Sequence, residues 1–271
     1  MITLEQLQEG IVIPVDKPYQ WTSFQAVNKV KAIIRRLYDL KKFKIGHAGT
    51  LDPLATGLLL ICVGKATKSI PQLQDGDKVY TGTMVLGATT PCFDLERAID
   101  HYYPYEHLTP ALLQETVHQF TGTIMQVPPM FSAVKIDGQR AYEYARTDDP
   151  TVTIKPKPVN VYSFDITAFR PSISPKGPKG LKGLKDLKNP NDLKSSTHLY
   201  QNPLGEVPDH LPQADFRIHC GKGTYIRSLA RDFGAALGSG AFLSALRREQ
   251  IGNYSVQEAL QLDQIETFLT A

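Results

Sequence analysis

Apolar and polar positions alternate along this chain in two distinct rhythms. Phe24, Val27, Val30, Ile34 and Leu37 recur at helical spacing behind Thr22 and Ser23, either of which supplies an N-cap, and most of the basic residues fall off that stripe. A period of two marks strands instead. Ile11 to Val15 reads as a strand closed by Asp16, Lys17 and Pro18, and Lys78 to Leu86 alternates Tyr80, Met84 and Leu86 against Val79, Thr81, Thr83 and Val85. Val159 to Phe169 is a further strand, and Ala214, Phe216, Ile218 and Cys220 alternate with Asp215, Arg217 and His219. Between them, Thr109, Pro110 and Gly122 bracket a helix. Phe131 to Ile136 is extended and turns at Asp137-Gly138 into the helix-like string QRAYEYAR. Thr224 opens a helix with Ile226, Leu229, Ala230, Phe233 and Leu237 on one face, and Ser255 with Glu258 forms a capping box for a final amphipathic helix. Strands and helices mix without regular β-α alternation. The pattern therefore predicts an α+β fold, a mainly antiparallel mixed sheet flanked by helices.

Composition narrows the class. With 271 residues, 42% of them hydrophobic and 21% charged, the chain can bury a core and is not a disordered sequence. Its longest apolar run, Leu58 to Val63, is far short of the roughly 20 residues that span a bilayer. The opening MITLEQLQEG carries two glutamates and no basic region ahead of an apolar stretch, so a secretory signal is not expected and the protein is placed in the cytoplasm. Three cysteines (Cys62, Cys92, Cys220) without C-x-x-C spacing fit neither a disulfide framework nor a zinc cluster. Net charge is only +3, but Lys29, Lys31, Arg35, Arg36, Lys41, Lys42 and Lys44 face Asp39 alone between positions 29 and 44. Such a run is either a solvated helix face or a phosphate-binding stripe. Residues 171–214 stand apart: seven prolines and the triplets GPK, GLK and GLK read as a flexible surface insertion between two strands.

The chemistry concentrates in residues 46–57. Pro53 steers Asp52 out of helical geometry, and Gly46, Gly49 and Gly57 permit close backbone approach around it. Taken singly, Thr-Leu-Asp-Pro is an ordinary turn and His47 a hydrogen-bonded loop histidine. Gly64-Lys65-Ala66 lacks the remaining residues of a P-loop, and no H-E-x-x-H occurs.

The whole string GHAGTLDPLATGLLLICVGKATK closely resembles the motif II region of the TruB-type tRNA pseudouridine synthases, whose G-T-L-D-P aspartate is catalytic. Further matches lie in the family's order: VDKP, KVYTGTMVLG, QVPPMFSAVKIDGQRAYEYAR, CGKGTYIRSLARDFG and AFLSALRREQIG. The resemblance covers residues 11–170 and 214 to about 268. It implies a pseudouridine synthase fold with RNA-binding loops, Asp52 as nucleophile, Tyr80 beneath the target base, and Arg227 paired with Asp52. It further implies that Tyr225 helps shape the pocket, His47 fills space in the RNA beside the displaced nucleotide, Lys17 supports the pocket and Leu243 lines it. Residues 128–148 match the family's mobile thumb. Related bacterial enzymes usually carry a C-terminal PUA domain; here one catalytic domain spanning 1–271 is expected without it, which leaves contacts to the acceptor stem open.

These residue types suit the reaction so implied. Moving uracil from an N1 to a C5 linkage needs no redox cofactor, metal or ATP, and a carboxylate serves as nucleophile at C1′ or C6 or assists a glycal route. An adjacent guanidinium keeps that carboxylate charged in a closed pocket. Tyr80, as a phenol, is a poor base unless a cation such as Lys17 or Arg227 stabilises its phenolate. The expected activity is isomerisation of uridine-55 in the TΨC arm of tRNA, with tRNA as partner and no obligatory protein partner. The competing readings are a guide-RNA-dependent synthase of the dyskerin type and a non-catalytic RNA-binding protein.

Overall fold

The computed structural model describes residues 1–132, 154–172 and 207–271, together with the backbone of 135–136 and 139–140. Helix α1 (Leu4–Glu9), which the apolar pattern does not announce, opens on a capping box of Thr3 with Gln6. Strand β1 (Ile11–Lys17) leads to α2 (Ser23–Tyr38), where Thr22 and Gln25 form a second capping box. Strands β2 (Ile45–Ala48) and β3 (Ala55–Val63) frame the loop that carries Asp52, and α3 (Ile70–Asp75) precedes β4 (Lys78–Leu86). A small hairpin of β5 (Ala88–Thr89) and β6 (His101–Tyr102) follows, then α4 (Pro110–Thr116) and β7 (Gly122–Gln126). Next come β8 (Lys135–Ile136) and β9 (Gln139–Arg140), then the long β10 (Lys157–Arg170) and β11 (Gln213–Cys220). The chain closes with α5 (Ile226–Ala236), β12 (Ala241–Ile251), β13 (Tyr254–Ser255) and α6 (Ile265–Thr270).

The main sheet runs β1-β3-β12-β4-β11-β10-β7, with β2 added to β3 and β13 to β12. Its pairings are antiparallel except that β12 lies parallel to β3 through Leu246↔Ala55, Arg247↔Thr56 and Arg248↔Gly57. This is the α+β, mainly antiparallel sheet expected. Two apolar clusters share one of its faces. Ile13, Val15, Leu59 and Ile61 pack under α2 and α6, and Met84, Phe216, Ile218 and Leu243 pack under α5 with Leu229 and Phe233. A third cluster of Leu58, Leu60, Ile251 and Val256 occupies the other face of β3.

Several elements differ from the sequence reading, each for a local reason. Phe24 is 70% exposed, because the buried side of α2 runs through Ser23, Ala26, Val27, Val30, Ile33 and Ile34, with Ser23 and not Phe24 turned inward in the first turn. The helix after Thr109 tightens into a 3-10 turn at Val117–Phe120 before Gly122. Gln139 and Arg140 pair with Ile136 and Lys135 as a hairpin rather than beginning a helix; the rest of QRAYEYAR lies outside the described residues. Helix α5 starts one residue beyond Tyr225, with Thr224 bonding back to Gly221. Ser255 caps a single 3-10 turn, Val256–Glu258, and not the final helix. Finally, Gln213 and Ala214 already belong to β11, and Leu211 is 2% exposed, so the C-terminal edge of the insertion is core. Residues 173–206 of that insertion lie outside the described residues.

Candidate active site

The site begins as one row of residues across four strands. Lys17 of β1 opposes Gly57 of β3, Gly57 opposes Arg248 of β12, and Arg248 opposes Tyr80 of β4. Opposed residues project from the same face of a sheet. Gly57 contributes no side chain to this row, and the Arg248 backbone packs closely on it. A Cβ there would fall 2.3 Å from the Arg248 carbonyl oxygen, and its φ of +101° suits glycine.

Above it runs the loop Gly49–Leu54, and side chains from four elements grip it. Arg248 donates to the carbonyl oxygens of Gly49 at 3.0 Å and Thr50 at 3.4 Å. Ser23, at the start of α2, exchanges two bonds with Leu51: its Oγ accepts from Leu51 N at 2.9 Å and donates to Leu51 O at 3.1 Å. Lys17 Nζ donates to Pro53 O at 3.3 Å and to Pro18 O and Trp21 O at 3.0 and 2.6 Å. The fourth grip is on the carboxylate itself. Arg227 Nε, at the start of α5, lies 2.9 Å from Asp52 Oδ2. Asp52 is thus presented by an irregular loop whose backbone is nevertheless fixed to the scaffold, the condition for a preorganised reacting group.

The electrostatics follow from burial. Arg227 is 5% exposed and also faces Asp94, 3.6 Å away, while donating to Cys92 O at 3.2 Å and Phe131 O at 2.8 Å. Burial alone would lower its pKa, but Asp52, Asp94 and Glu96 together hold it above the ordinary arginine value. Burial pushes the Asp94 carboxyl up, against the pull of Arg227. Lys17, 0% exposed, is lowered to about 8 by burial, with Asp52 opposing. Burial also drives the Tyr80 phenol above its ordinary value, with Arg248 opposing. Arg248, opposite Tyr80 on the neighbouring strand, is thus a cation beside the phenol that the sequence reading did not name.

Asp52, Asp94, Arg227 and Leu243 line an open, shallow pocket, completed by Leu54, Ala55, Ser244, Ala245 and Leu246. Leu243 and Leu246 both contribute to this lining. Tyr225 caps α5 beside the pocket, its backbone N and O both bonded to the Gln126 amide at 2.8 and 3.1 Å. His47 pairs with Ile61 on β2 just ahead of the loop, and burial, then Arg248, lowers its pKa. Its Nδ1 is buried with no hydrogen-bond partner among the described residues. Residues 128–148 are described only in part; the residue just ahead of them is tied to α5, with Ser228 Oγ and Arg231 Nη2 both donating to Val127 O. The basic side chains Lys29, Arg35, Arg36, Lys41, Lys42 and Lys44 are exposed on and after α2.

Sequence reasoning missed Arg248, Asp94 and Ser23. Arg248 stood inside the matching string AFLSALRREQIG, but nothing local to that string announces that it crosses to the loop of Asp52. No group of three or more His, Cys, Asp or Glu that could hold a metal ion occurs among the described residues. No described helix is long and apolar enough to cross a membrane.

The model of the TruB family pseudouridylate synthase N-terminal domain matches residues 35–176, and that of the tRNA pseudouridylate synthase B C-terminal domain matches residues 227–271. The tRNA pseudouridine synthase B of Flavobacterium johnsoniae is 46% identical over 269 residues, covering 99% of this chain and 100% of the relative. That of Phocaeicola vulgatus is 41% identical over 262 residues, covering 97% and 94%. Among solved structures, a chain from a Cbf5-Nop10-Gar1 complex superposes with a TM-score of 0.59 at 25% identity. The match covers 97% of this chain and 55% of that one, so the present chain spans little more than half of its structural neighbour. A carboxylate on a fixed loop, salt-bridged to a buried arginine at the rim of an open pocket, thus sits inside a sequence matched from end to end, and the chain belongs to the TruB family of pseudouridylate synthases, an isomerase.

Proposed function

We propose that the enzyme converts uridine-55 in the TΨC arm of tRNA to pseudouridine, with Asp52 as nucleophile and the target base flipped out of its stack into the pocket. The observation that carries this reading is the Asp52–Arg227 contact at 2.9 Å, an ionisable nucleophile and its counter-charge held where a pocket opens to solvent. The relatives named tRNA pseudouridine synthase B support tRNA as the substrate. A uridine in a folded loop must leave its stack to be reached, and the ring of Tyr80 offers a face to receive it. The exposed cations on and after α2 meet the phosphate backbone. Arg227 supports the charge of Asp52, while Leu243 and Leu246 exclude water around the base. Tyr225 and Lys17 hold the walls, and His47 occupies the gap left by the displaced nucleotide.

The experiment is pseudouridine mapping, by mass spectrometry or carbodiimide chemistry, on a tRNA transcript incubated with pure protein and with the Asp52→Asn variant. Pseudouridine at position 55 with the native enzyme only is the expected result. Measurable multiple turnover by Asp52→Asn refutes the nucleophile, and product at another position refutes the site.

A further inference from the structure

We infer that Arg248 is a positioning residue for both reacting side chains, tying the loop that presents Asp52 to the strand that presents Tyr80. This rests on the reading of Asp52 and Tyr80 as the groups that act on the uridine.

Arg248 is 1% exposed, and among the described residues no carboxylate lies within ion-pair distance of it. Its charge is met by three carbonyl oxygens: Nε donates to Leu58 O at 2.8 Å, Nη2 to Gly49 O at 3.0 Å and Nη1 to Thr50 O at 3.4 Å. Burying a cation without a counter-ion costs several kcal/mol, and an apolar residue at such a position usually serves stability as well or better. Stability alone therefore does not account for a guanidinium here. Geometry does. The three acceptors belong to β3 and to the two residues that begin the Asp52 loop, and only a planar fork reaches all of them; an ammonium acts as a point charge. Its own strand places it opposite Tyr80. The backbone of Arg248 itself is packed closely on Gly57, where a Cβ would fall 2.3 Å from its carbonyl oxygen, so the strand that carries the guanidinium is held tightly against β3. Its charge is felt by the surrounding groups, opposing protonation of Lys17, His47 and Lys78 and favouring ionisation of Tyr80. Being buried, it touches no substrate. It acts through the two residues that do.

The test is single-turnover pseudouridine formation on a tRNA transcript by Arg248→Lys and Arg248→Met, with tRNA affinity and thermal unfolding measured alongside. A loop displaced by about 1 Å loses on the order of 10²-fold in rate. Arg248→Lys is expected to fold, to bind tRNA within a few-fold of native and to lose that much in the chemical step, with Arg248→Met slower still. In a Tyr80→Phe background the same Arg248→Lys change is expected to cost less than in the native chain, because one of its two clients is already gone. Native rates in both Arg248 variants, a loss confined to affinity, or costs that simply multiply would each overturn the inference. Should both variants fail to fold, Tyr80→Phe with Arg248 intact supplies the reading: the Arg248 Nε–H resonance in a ¹⁵N spectrum moves if the two side chains are coupled, and an unmoved resonance overturns the proposal. Asp52→Asn is the control. Turnover by that variant condemns the functional reading itself, whereas an inert Asp52→Asn beside fully active Arg248 variants condemns only this inference.

Discussion

Arg227 and Asp52 meet at 2.9 Å, yet the arginine side chain is 5% exposed and the aspartate side chain 37% exposed. The pair is built from one anchored partner and one presented partner, so its two halves answer differently to mutation. Asp52→Asn leaves Arg227 with Asp94 and two carbonyl oxygens, and removal of a half-exposed partner costs about 1 kcal/mol or less. Arg227→Met strands Asp94, which is buried, and such a loss typically costs about 3–5 kcal/mol. Urea denaturation of the two variants distinguishes them. Equal stabilities would contradict the asymmetry, whatever happens to activity.

Lys17 sets an alkaline limit. Its ammonium donates to three carbonyl oxygens, of Pro18, Trp21 and Pro53, and the neutral amine has one donor too few for all of them. With its pKa lowered to about 8 from 10.5, activity is expected to fall through a one-proton step as pH rises through about 8. Stability moves the other way. Between about 8 and 10.5 the unfolded chain binds the proton that the folded chain has lost, so this group's contribution to folding rises with pH and is lost as pH falls through about 8. A kcat/KM profile of the native enzyme against Lys17→Met checks it. A limb near pH 8 that persists unchanged in Lys17→Met would belong to the RNA or to another residue.

What the sequence disclosed and what it hid follow one physical division. Strands β1 and β11 are legible because period-two alternation survives along most of their length, and the Thr22 cap because its chemistry is local. Strand β12 is central to the sheet and was not legible as a strand. Its pairing with β4 shifts register between Leu243 and Ala245 and again between Arg248 and Gln250, and each bulge breaks the alternation that would have announced it. The same bulged strand delivers Arg248. Asp52 was found through its string, whereas Arg248, Ser23 and Asp94 acquire their meaning only from contacts made across the fold, as with the 190 residues that separate Arg248 from Leu58. Phe24 misled because the inward position of the first turn is taken by a polar residue, Ser23, which hydropathy does not mark as buried.

The insertion between β10 and β11 can be shortened, but by less than its composition suggests. Arg170 pairs with Gln213, so the two strand ends are neighbours and a short Gly/Ser join spans them. Excising 173–206 is expected to preserve folding and most activity. Extending the cut to 172–212 removes Leu211, 2% exposed, and the Pro212 carbonyl that accepts from Leu86 N at 2.9 Å. A buried leucine contributes about 1.5–3 kcal/mol, so the longer deletion is expected to lower the unfolding temperature measurably. Calorimetry of both deletions, with pseudouridine assays, decides. Collapse of the shorter one would mean that residues 173–206 pack or bind.

Tyr80 tests how the proton moves. Every route to pseudouridine removes a proton, from C5 of the reattached base or transiently from C2′ of the sugar, and a group beside the nucleophile must take it. Burial raises the Tyr80 phenol above its ordinary value, so the resting side chain is neutral near pH 7, offering a ring face and one O–H donor. Arg248 beside it works in the opposite sense, making a phenolate less costly there than burial alone would allow. On the proposed reading two functions, stacking and proton transfer, are combined in one residue, and one oxygen atom separates them. Tyr80→Phe keeps the ring, and is expected to bind tRNA as the native enzyme does while kcat falls by roughly 10²–10⁴-fold, the loss typical of a removed general acid or base. Tyr80→Leu loses the ring as well, and is expected to be weaker in binding the flipped base. If Tyr80→Phe instead retains near-native kcat while Tyr80→Leu does not, the hydroxyl is idle and the ring alone is used. The proton acceptor is then Asp52 itself, released from its bond to the substrate and still held by Arg227 within reach of the base.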